Sequence, residues 1–207
     1  MCVCECYADP VILTVASFKG GVGKTTTAVH LATFLQQRAS TLLIDGDPNR
    51  SATAWSRRGS LPFRVIDERQ AARFARDFEH VVIDTEARPE EEDLRALADG
   101  CDLLVIPSTP DALSLDALML TIDALTRIGS NRYRILLTVV PPRPSRDGEE
   151  ARGTLSEGGL PLFAGSIRRF VAFQKAALAG VPVNAVDDPR AEQAWEDYVG
   201  VGKEIEG

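Results

Sequence analysis

The residues of this chain best suited to chemistry form one glycine-rich run, Lys19-Gly20-Gly21-Val22-Gly23-Lys24-Thr25-Thr26. Glycine lets the backbone wrap closely around a phosphate chain with its N–H groups pointing inward. Lys24 would contact the β- and γ-phosphates of a nucleotide, and the Thr25 hydroxyl would bind Mg²⁺. An apolar segment over 11–17 precedes the run and an amphipathic segment over 25–38 follows it. The sequence therefore predicts strand, phosphate loop and helix, with the helix N-terminus directed at the phosphates.

The run differs from the usual P-loop pattern, G-x-x-x-x-G-K-[ST], in two ways. Phe18 stands where the first glycine is expected, and an additional lysine, Lys19, precedes the glycines. With this lysine the chain resembles the ParA/MinD family of deviant Walker ATPases, and most closely the short, ParF-like partition ATPases without an N-terminal DNA-binding domain. The resemblance implies that the nucleotide is ATP and that Lys19 reaches the nucleotide of the other subunit in an ATP-bound homodimer. There it would counter negative charge in the transition state.

Two carboxylates end the apolar segment over 41–45, in the stretch Asp45-Gly46-Asp47-Pro48-Asn49. Alternation along an extended chain places Asp45 and Asp47 on the same face. This stretch resembles the family's second motif, which implies that Asp47 positions the attacking water and that Asp45 supports the Mg²⁺ shell and the P-loop. Asn49 stands where the family usually has glutamine.

A further aspartate, Asp84, ends the apolar segment over 80–84. An aspartate at the carboxyl end of a strand beside a P-loop typically holds Mg²⁺ through water. Asp84 is therefore the third predicted metal residue, with Thr25 and Asp45. Glu86 follows closely and would add negative charge near the γ-phosphate, so its role stays open.

Composition limits the classes of protein to consider. A chain of 207 residues is long enough for one α/β domain with a sizeable core. It has no apolar stretch of the ~18 residues that a transmembrane helix needs and no secretory signal, so we expect a cytoplasmic protein. Of the four cysteines, Cys2, Cys4 and Cys6 fall in a leader over 1–10 that we expect to be disordered or frayed, with metal binding or oxidative crosslinking as alternatives. We expect residues 11–207 to form a single P-loop ATPase domain.

Charge is unevenly distributed along the chain. The net charge is −7, but residues 127–186 hold nine Lys or Arg against four Asp or Glu, and the last 21 residues hold two against seven. A local basic surface can bind a phosphate backbone even on an acidic protein. The candidates are Arg127, Arg132, Arg134, Arg143, Arg146, Arg168, Arg169 and Lys175.

The remaining chain alternates between strand and helix patterns. We predict strands over 11–17, 41–45, 63–66, 80–84, 102–107, 133–140 and 162–166, and helices over 25–38, 50–59, 68–77, 90–99, 112–128, 168–179 and 188–205. This alternation predicts an α/β fold with a mostly parallel central sheet and helices on both faces. In such folds ligands bind at the carboxyl ends of the strands, where all the motifs above lie.

The family resemblance extends, more weakly, to the last third of the chain. It implies that the loop after strand 133–140 contacts adenine, and Arg143 is the candidate for stacking on the base. It also implies that the helix over 168–179 lies on the DNA-binding surface, with Arg168, Arg169 and Lys175 as candidate contacts. The C-terminal segment is acidic, unlike the basic amphipathic tail with which MinD-like proteins bind membranes. We expect Ala191, Trp195, Tyr198 and Ile205 to pack on the core instead.

Three functions fit these motifs. The leading prediction is a ParA-type ATPase that dimerises on ATP, binds nonspecific nucleoid DNA and partitions or positions a cargo. A ParB-like or adaptor protein would stimulate hydrolysis and reset the cycle. The alternatives are a metabolic synthetase of the same fold, similar to dethiobiotin synthetase, and a MinD-like membrane-positioning ATPase. The synthetase would need a polar pocket for a second substrate, and the sequence shows no obvious set of residues for one.

Overall fold

The computed structural model describes residues 10–87 and 89–207. Apart from Pro10, the predicted leader and its three cysteines lie outside the described residues. The elements are, in chain order, β1 (Ile12–Ser17), α1 (Lys24–Gln36), β2 (Thr41–Asp45), α2 (Ser51–Arg58), β3 (Arg64–Asp67), α3 (Ala71–Phe74), β4 (His80–Ala87), α4 (Glu91–Asp99), β5 (Leu103–Ser108), α5 (Ala112–Arg127), β6 (Tyr133–Leu137), α6 (Asp147–Glu157), α7 (Val171–Ala179) and α8 (Ala191–Glu206). Short 3-10 turns flank α3 at Glu68–Gln70 and Ala75–Asp77, and another spans Val183–Ala185.

The six strands form one sheet in the order β3-β2-β4-β1-β5-β6, and every pairing between neighbouring strands is parallel. The predicted α/β fold with a parallel central sheet is confirmed. Because parallel strands end at the same edge, the phosphate loop after β1 lies beside the aspartates that end β2 and β4. The register pairs Asp45 with Asp84 on one side and with Asp67 on the other.

Helices cover both faces of the sheet, because alternate side chains of each strand enter different cores. Leu13, Leu43 and Val82 point into a core shared with α1, α2, α7 and α8. On the opposite face, Leu104 and Ile106 pack against α4, α5 and α6, and the neighbouring strands β2, β3 and β4 pack against α3. The strand sequences are apolar on both faces for this reason.

The structure differs from the sequence prediction between β6 and α7. Helix α6 was not predicted, because it buries little apolar surface: of its residues only Ala151 and Leu155 are buried. The predicted strand over 162–166 is reduced to a single bridge between Ile135 and Leu162. The helix predicted over 168–179 begins at Val171, since the Arg169 N–H donates to the Val140 carbonyl, outside any helical pattern.

Helix α8 packs on the core as predicted. Ala191 and Tyr198 are buried, and Trp195 and Ile205 are partly buried against the α1-side core. No helix within the described residues is both long and apolar enough to cross a membrane.

His30 joins α1 to the C-terminal elements on this face. Its ring is fully buried and stacks on Tyr198 with a centroid distance of 4.8 Å. Nε2 accepts the Val183 N–H at 3.0 Å, so Nδ1, which lies 2.6 Å from the Thr26 carbonyl, carries the proton and donates. Burial lowers the pKa of His30 to about 4, because a second ring proton would have no acceptor at Val183.

The buried neutral His30 predicts a pH dependence of stability. Its folded-state pKa of about 4 lies below the ordinary value of 6.5, so the unfolded chain binds more protons between these values. The stability that His30 contributes is fully present above pH 6.5. It falls by about 3 kcal/mol as the pH is lowered from 6.5 to 4, at about 1.36 kcal/mol per pKa unit.

Denaturant unfolding of the wild type and of His30→Gln, measured across this pH range, tests the prediction. The variant should be less stable at pH 7 but lose less stability on acidification, since other titrating groups contribute equally to both proteins. Equal pH dependence of the two proteins would contradict the assignment.

Candidate functional site

The phosphate loop spans residues 18–23, between β1 and α1. Gly21 and Gly23 have φ of 80° and 86°, in the left-handed region that side chains with a Cβ rarely adopt. Gly23 is also the N-cap of α1 and has no side chain to accept from the first helical N–H groups. The Thr138 hydroxyl donates to the Val22 carbonyl at 2.7 Å and fixes the loop against the end of β6. The loop therefore presents free helix N–H groups to an anion.

Lys24 and Asp84 form a buried, oppositely charged pair of groups at the foot of this loop. Burial lowers the pKa of Lys24, and Asp84 and Asp47 oppose that shift. Burial raises the pKa of Asp84 to about 7; the nearby Thr25 hydroxyl and Lys24 oppose the shift, whereas Asp45 and Asp47 add to it. Each of the two buried groups thus favours the charged form of the other.

Neither carboxylate oxygen of Asp84 has a hydrogen-bond partner among the described residues, although both are buried. A buried carboxylate without a donor is costly unless a cation completes the site. Hard oxygen ligands of this kind, with the Thr25 hydroxyl nearby, fit Mg²⁺. The described residues contain no group of three His, Cys, Asp or Glu side chains that could hold a metal by themselves, so phosphate and water would have to supply the other ligands.

Asp45 is fully buried, and its carboxylate positions backbone. Oδ2 accepts from both the N–H and the hydroxyl of Thr53, at 2.8 and 2.6 Å, and Oδ1 accepts from the Asp47 N–H at 3.3 Å. These bonds tie the end of β2 to α2. The geometry supports an indirect role for Asp45 rather than direct contact with a metal.

Asp47 is nearly buried and is held by a residue that the sequence analysis gave no role. The backbone N–H and the side-chain amide of Asn49 both donate to Oδ1 of Asp47, at 2.8 and 2.9 Å. The Arg50 N–H donates to the Asp47 carbonyl, and Arg50 adopts a left-handed backbone conformation with φ of 52°. The backbone part of this contact was signalled by the sequence, since an Asp side chain commonly accepts from the N–H two residues further on.

Lys19 lies away from the other P-loop side chains. Its ammonium donates to Asp111 at 3.0 Å and to the Ser114 hydroxyl at 2.6 Å, in the first turn of α5. The Thr109 hydroxyl also donates to Asp111. The hydrogen bond from Thr109 has the largest effect on the pKa of Asp111, which it lowers. The hydrogen bonds from Ser114 and Lys19 lower this pKa further. In this conformation Lys19 is bound within its own chain, at the loop after β5.

A cavity of about 280 Å³ opens beside the glycines of the loop. Aromatic side chains from the end of the chain form one wall, Phe170, Phe173 and Tyr198, and Thr26 and Val139 lie opposite. Val139 has φ of 51°, a strained value for a β-branched residue, and it ends β6 earlier than the predicted position 140. A mainly apolar cavity with aromatic lining next to a phosphate loop suits a nucleotide base.

Arg143 does not line this cavity. Its side chain is 93% exposed and lies 3.9 Å from Glu149 of α6. The structure therefore does not support the predicted contact between Arg143 and the adenine, because Arg143 lies beside α6 and no residue of α6 lines the cavity. The aromatic wall was missed because its residues are scattered over the last 40 positions and form no local motif.

The predicted DNA-binding residues are largely paired with acids. Arg168 makes a bidentate contact with Asp197: one terminal nitrogen donates to Oδ1 at 2.7 Å and Nε donates to Oδ2 at 3.1 Å. Lys175 lies 2.7 Å from Asp188. Arg169 is exposed and borders the cavity. Two of the three predicted contacts are thus neutralised by the acidic C-terminal segment.

The comparisons with known proteins identify the family. Residues 13–191 match the family described as CobQ/CobB/MinD/ParA nucleotide binding domain. The chain belongs to this family. It is accordingly a P-loop ATPase of the ParA/MinD positioning type, as the sequence motifs indicated.

Individual relatives support the same assignment. The chain is 36% identical over 204 residues to maintenance of carboxysome distribution protein A from Gloeobacter kilaueensis, covering 95% of this chain and 94% of that protein. It is 30% identical over 167 residues to protein ParA from Rhizobium radiobacter, covering 73% and 75%. A putative plasmid partition protein from Borrelia burgdorferi B31, solved with AMPPNP, shares the fold with a TM-score of 0.73 at 18% identity, over 95% of this chain and 100% of that one.

The unpaired carboxylate of Asp84 predicts opposite effects of one substitution on stability and on binding. Asp84→Asn removes a buried charge, so the nucleotide-free protein should gain about 1–2 kcal/mol of unfolding free energy at pH 8, where the wild-type carboxylate is ionised. The same variant should lose the stabilisation that Mg²⁺ adds in the presence of ATP, because that cation would have lost its partner.

Thermal unfolding with and without ATP, and with Mg²⁺ or EDTA, measures both effects. Asp99→Asn, at an exposed aspartate, is the matched control and should change neither. An Asp84→Asn protein that is less stable without nucleotide, or that keeps the full Mg²⁺ effect, would contradict the interpretation.

Proposed function

We propose that this protein is a ParA-type positioning ATPase that dimerises on ATP, binds nonspecific DNA and releases it on hydrolysis. The observation that carries the proposal is the placement of Lys19. A second lysine starts the phosphate loop, yet its ammonium contacts α5 instead of the site beside Lys24. Lys19 is thus a cation beside the nucleotide site that does not contact the phosphates of its own chain. Such a cation is suited to contact the phosphates bound to a second subunit.

The site residues divide the work of hydrolysis. The loop N–H groups and Lys24 bind the phosphates, and the aromatic cavity takes the base. Mg²⁺, held by the Thr25 hydroxyl and through water by Asp84, would neutralise phosphate charge. Asp47 is fixed by Asn49 at the edge of the site and orients the attacking water. Asp45 keeps Asp47 and α2 in position through Thr53.

A change in the contacts of Lys19 then links the bound nucleotide to dimer formation. In the single chain Lys19 contacts Asp111 and Ser114, and in the dimer it contacts the phosphates of the other subunit. ATP shifts the balance toward the dimer because only ATP offers the full phosphate charge in that position. Hydrolysis reverses the shift, and a ParB-like or adaptor protein accelerates that step.

The cargo is proposed from the relatives. Two of them are named for carboxysome distribution, and another is a ParA protein. We infer that this protein uses the nucleoid as a surface on which it positions a large cargo, such as a protein body or a plasmid. The membrane-bound alternative is disfavoured because the apolar residues of α8 are packed in the core and are not free to lie on a bilayer.

Loss of the Lys19 ammonium should abolish the switch but not the fold. In Lys19→Ala we expect a folded monomer that no longer forms an ATP-dependent dimer or binds DNA. The measurements are light scattering after size exclusion, and fluorescence anisotropy of random-sequence duplex DNA with ATP, ADP or no nucleotide at one moderate salt concentration. Lys203→Ala, at an exposed lysine of α8, is the control and should behave as wild type. A Lys19→Ala protein that still binds DNA with ATP would overturn the proposed switch.

Loss of the Asp47 carboxylate should prolong DNA binding, whereas loss of the Lys19 ammonium should abolish it. Asp47→Ala leaves the phosphate loop intact but removes the group that orients water, so hydrolysis should fall by about 10²-fold or more. We then expect the ATP dimer to persist on DNA, with slower release after ATP is withdrawn. Phosphate release and DNA dissociation rates measure the two effects. Normal hydrolysis in this variant would rule out the water-positioning role.

A further inference from the structure

The edge of the sheet at β3 carries a group of exposed arginines that have no ion pair in the described part of the chain. Four arginines, which we name the edge arginine face, lie on β3 and on the helical turns that follow it: Arg64, Arg69, Arg73 and Arg76. All four are exposed, and none forms an ion pair with a described residue. They are absent from the basic region over 127–186 that the sequence indicated.

Helical spacing aligns three of these arginines. The turns over 68–77 are helical throughout, as 3-10, α and 3-10 segments in succession. Arg69, Arg73 and Arg76 are separated by four and three positions, the spacing that places side chains on the same side of a helix. This spacing favours a row of three exposed side chains along one side of the segment.

Phe74 brings the fourth arginine into the row. The guanidinium carbon of Arg64 lies 3.9 Å from the centroid of the Phe74 ring, and that of Arg73 lies 5.0 Å from the same centroid. Both arginines thus contact one ring by cation–π interactions, which places Arg64 of β3 beside the helical turns. Neither guanidinium has an ion pair among the described residues, so both stay available to an anion.

The neighbouring acids do not neutralise the row. Asp67 and Glu68, which lie within the same stretch of chain, both contact Arg50, at 3.0 and 3.7 Å. Asp77 and Glu79 follow the row but form no ion pair with it among the described residues. Arg57 and Arg58, at the end of α2, add exposed positive charge on the other side of the β3 edge.

The predicted basic region has the opposite organisation. Arg127 lies 3.3 Å from Glu91, and Arg143 and Arg146 both lie within 4 Å of Glu149. Arg168 and Lys175 are also paired with acids. Backbone carbonyls accept from Arg132, Arg134 and Arg152, so among the described residues Arg169 is the one basic side chain of that region with neither kind of partner. The sum of charges along the sequence favours the 127–186 region as a binding site for a polyanion. The pairing of charges in the fold favours the edge arginine face instead.

We propose that the edge arginine face is the surface through which this protein binds the phosphate backbone of DNA. An open row of guanidinium groups without a shaped pocket suits a uniform polyanion, which is bound through charge and counterion release instead of base contacts. The face lies at the edge of the sheet, with β2 and β4 between it and the phosphate loop, so a second subunit at the loop would leave it open. The choice of DNA as the polyanion rests on the proposed function; the location rests on the charges and contacts above.

The test compares two triple variants that remove the same charge. Arg69→Gln/Arg73→Gln/Arg76→Gln alters the edge arginine face, and Arg127→Gln/Arg143→Gln/Arg146→Gln alters the acid-paired region. DNA binding with ATP is measured for both and for the wild type over a series of salt concentrations. ATP hydrolysis without DNA and thermal stability are measured in parallel, and both should stay at wild-type values, since none of the six residues lies in the nucleotide site.

The face variant should bind DNA at least tenfold more weakly, and the slope of log Kobs against log salt should become shallower by about 0.9 for each arginine that contacts a phosphate. The control variant should keep both values. Wild-type affinity and slope in the face variant would overturn the location while leaving the proposed function intact. A wild-type protein that binds no DNA with ATP would overturn both, and binding to polyglutamate alone would assign the face to an acidic protein.

Discussion

Asp84 is buried at the edge of the sheet without a hydrogen-bond donor in the described part of the chain, and the organisation of the site follows from this. Water is excluded, so the charge can be compensated only by Lys24, by the end of α1 and by whatever binds between them. Lys24 is buried too, and burial disfavours its positive charge as it disfavours the negative charge of Asp84. The phosphates of a nucleotide would compensate Lys24, and a cation bound to them would compensate Asp84. An anion or a cation alone would compensate only one of the two. The function proposed above would therefore have this site favour the complex of nucleotide and cation.

The parts of the fold that the sequence predicted are those that depend on local pattern. Strand, glycine loop and helix follow one another within about 25 residues, and the apolar strands alternate regularly with helices. The aspartates could be placed because parallel strands end at one edge. Helix α6 could not be predicted, since it is acidic and packs through only two buried side chains, Ala151 and Leu155.

The parts that the sequence did not predict depend on contacts between distant residues. Asp197 lies 29 positions from Arg168, and Asp111 lies 92 positions from Lys19. A count of charges along the chain gives the 127–186 region a positive balance, but the fold brings acids from outside that region onto three of its basic side chains, Arg127, Arg168 and Lys175. The same fold leaves the edge arginine face without an ion pair among the described residues. Surface charge on an α/β protein is thus a property of the packed structure, and composition gives only its total.

The cavity beside the phosphate loop is built from both ends of the chain. Gly21, Gly23 and Thr26 form one side, and Phe173 and Tyr198 form the other, with His30 holding the two together from below. During synthesis the ribosome releases the loop first and α8 last, and domains generally acquire their packing as a unit. A nascent or C-terminally truncated chain would therefore possess the phosphate loop but lack the wall that completes the cavity. An unfinished chain would thus lack the apolar contacts that the complete cavity offers to a base.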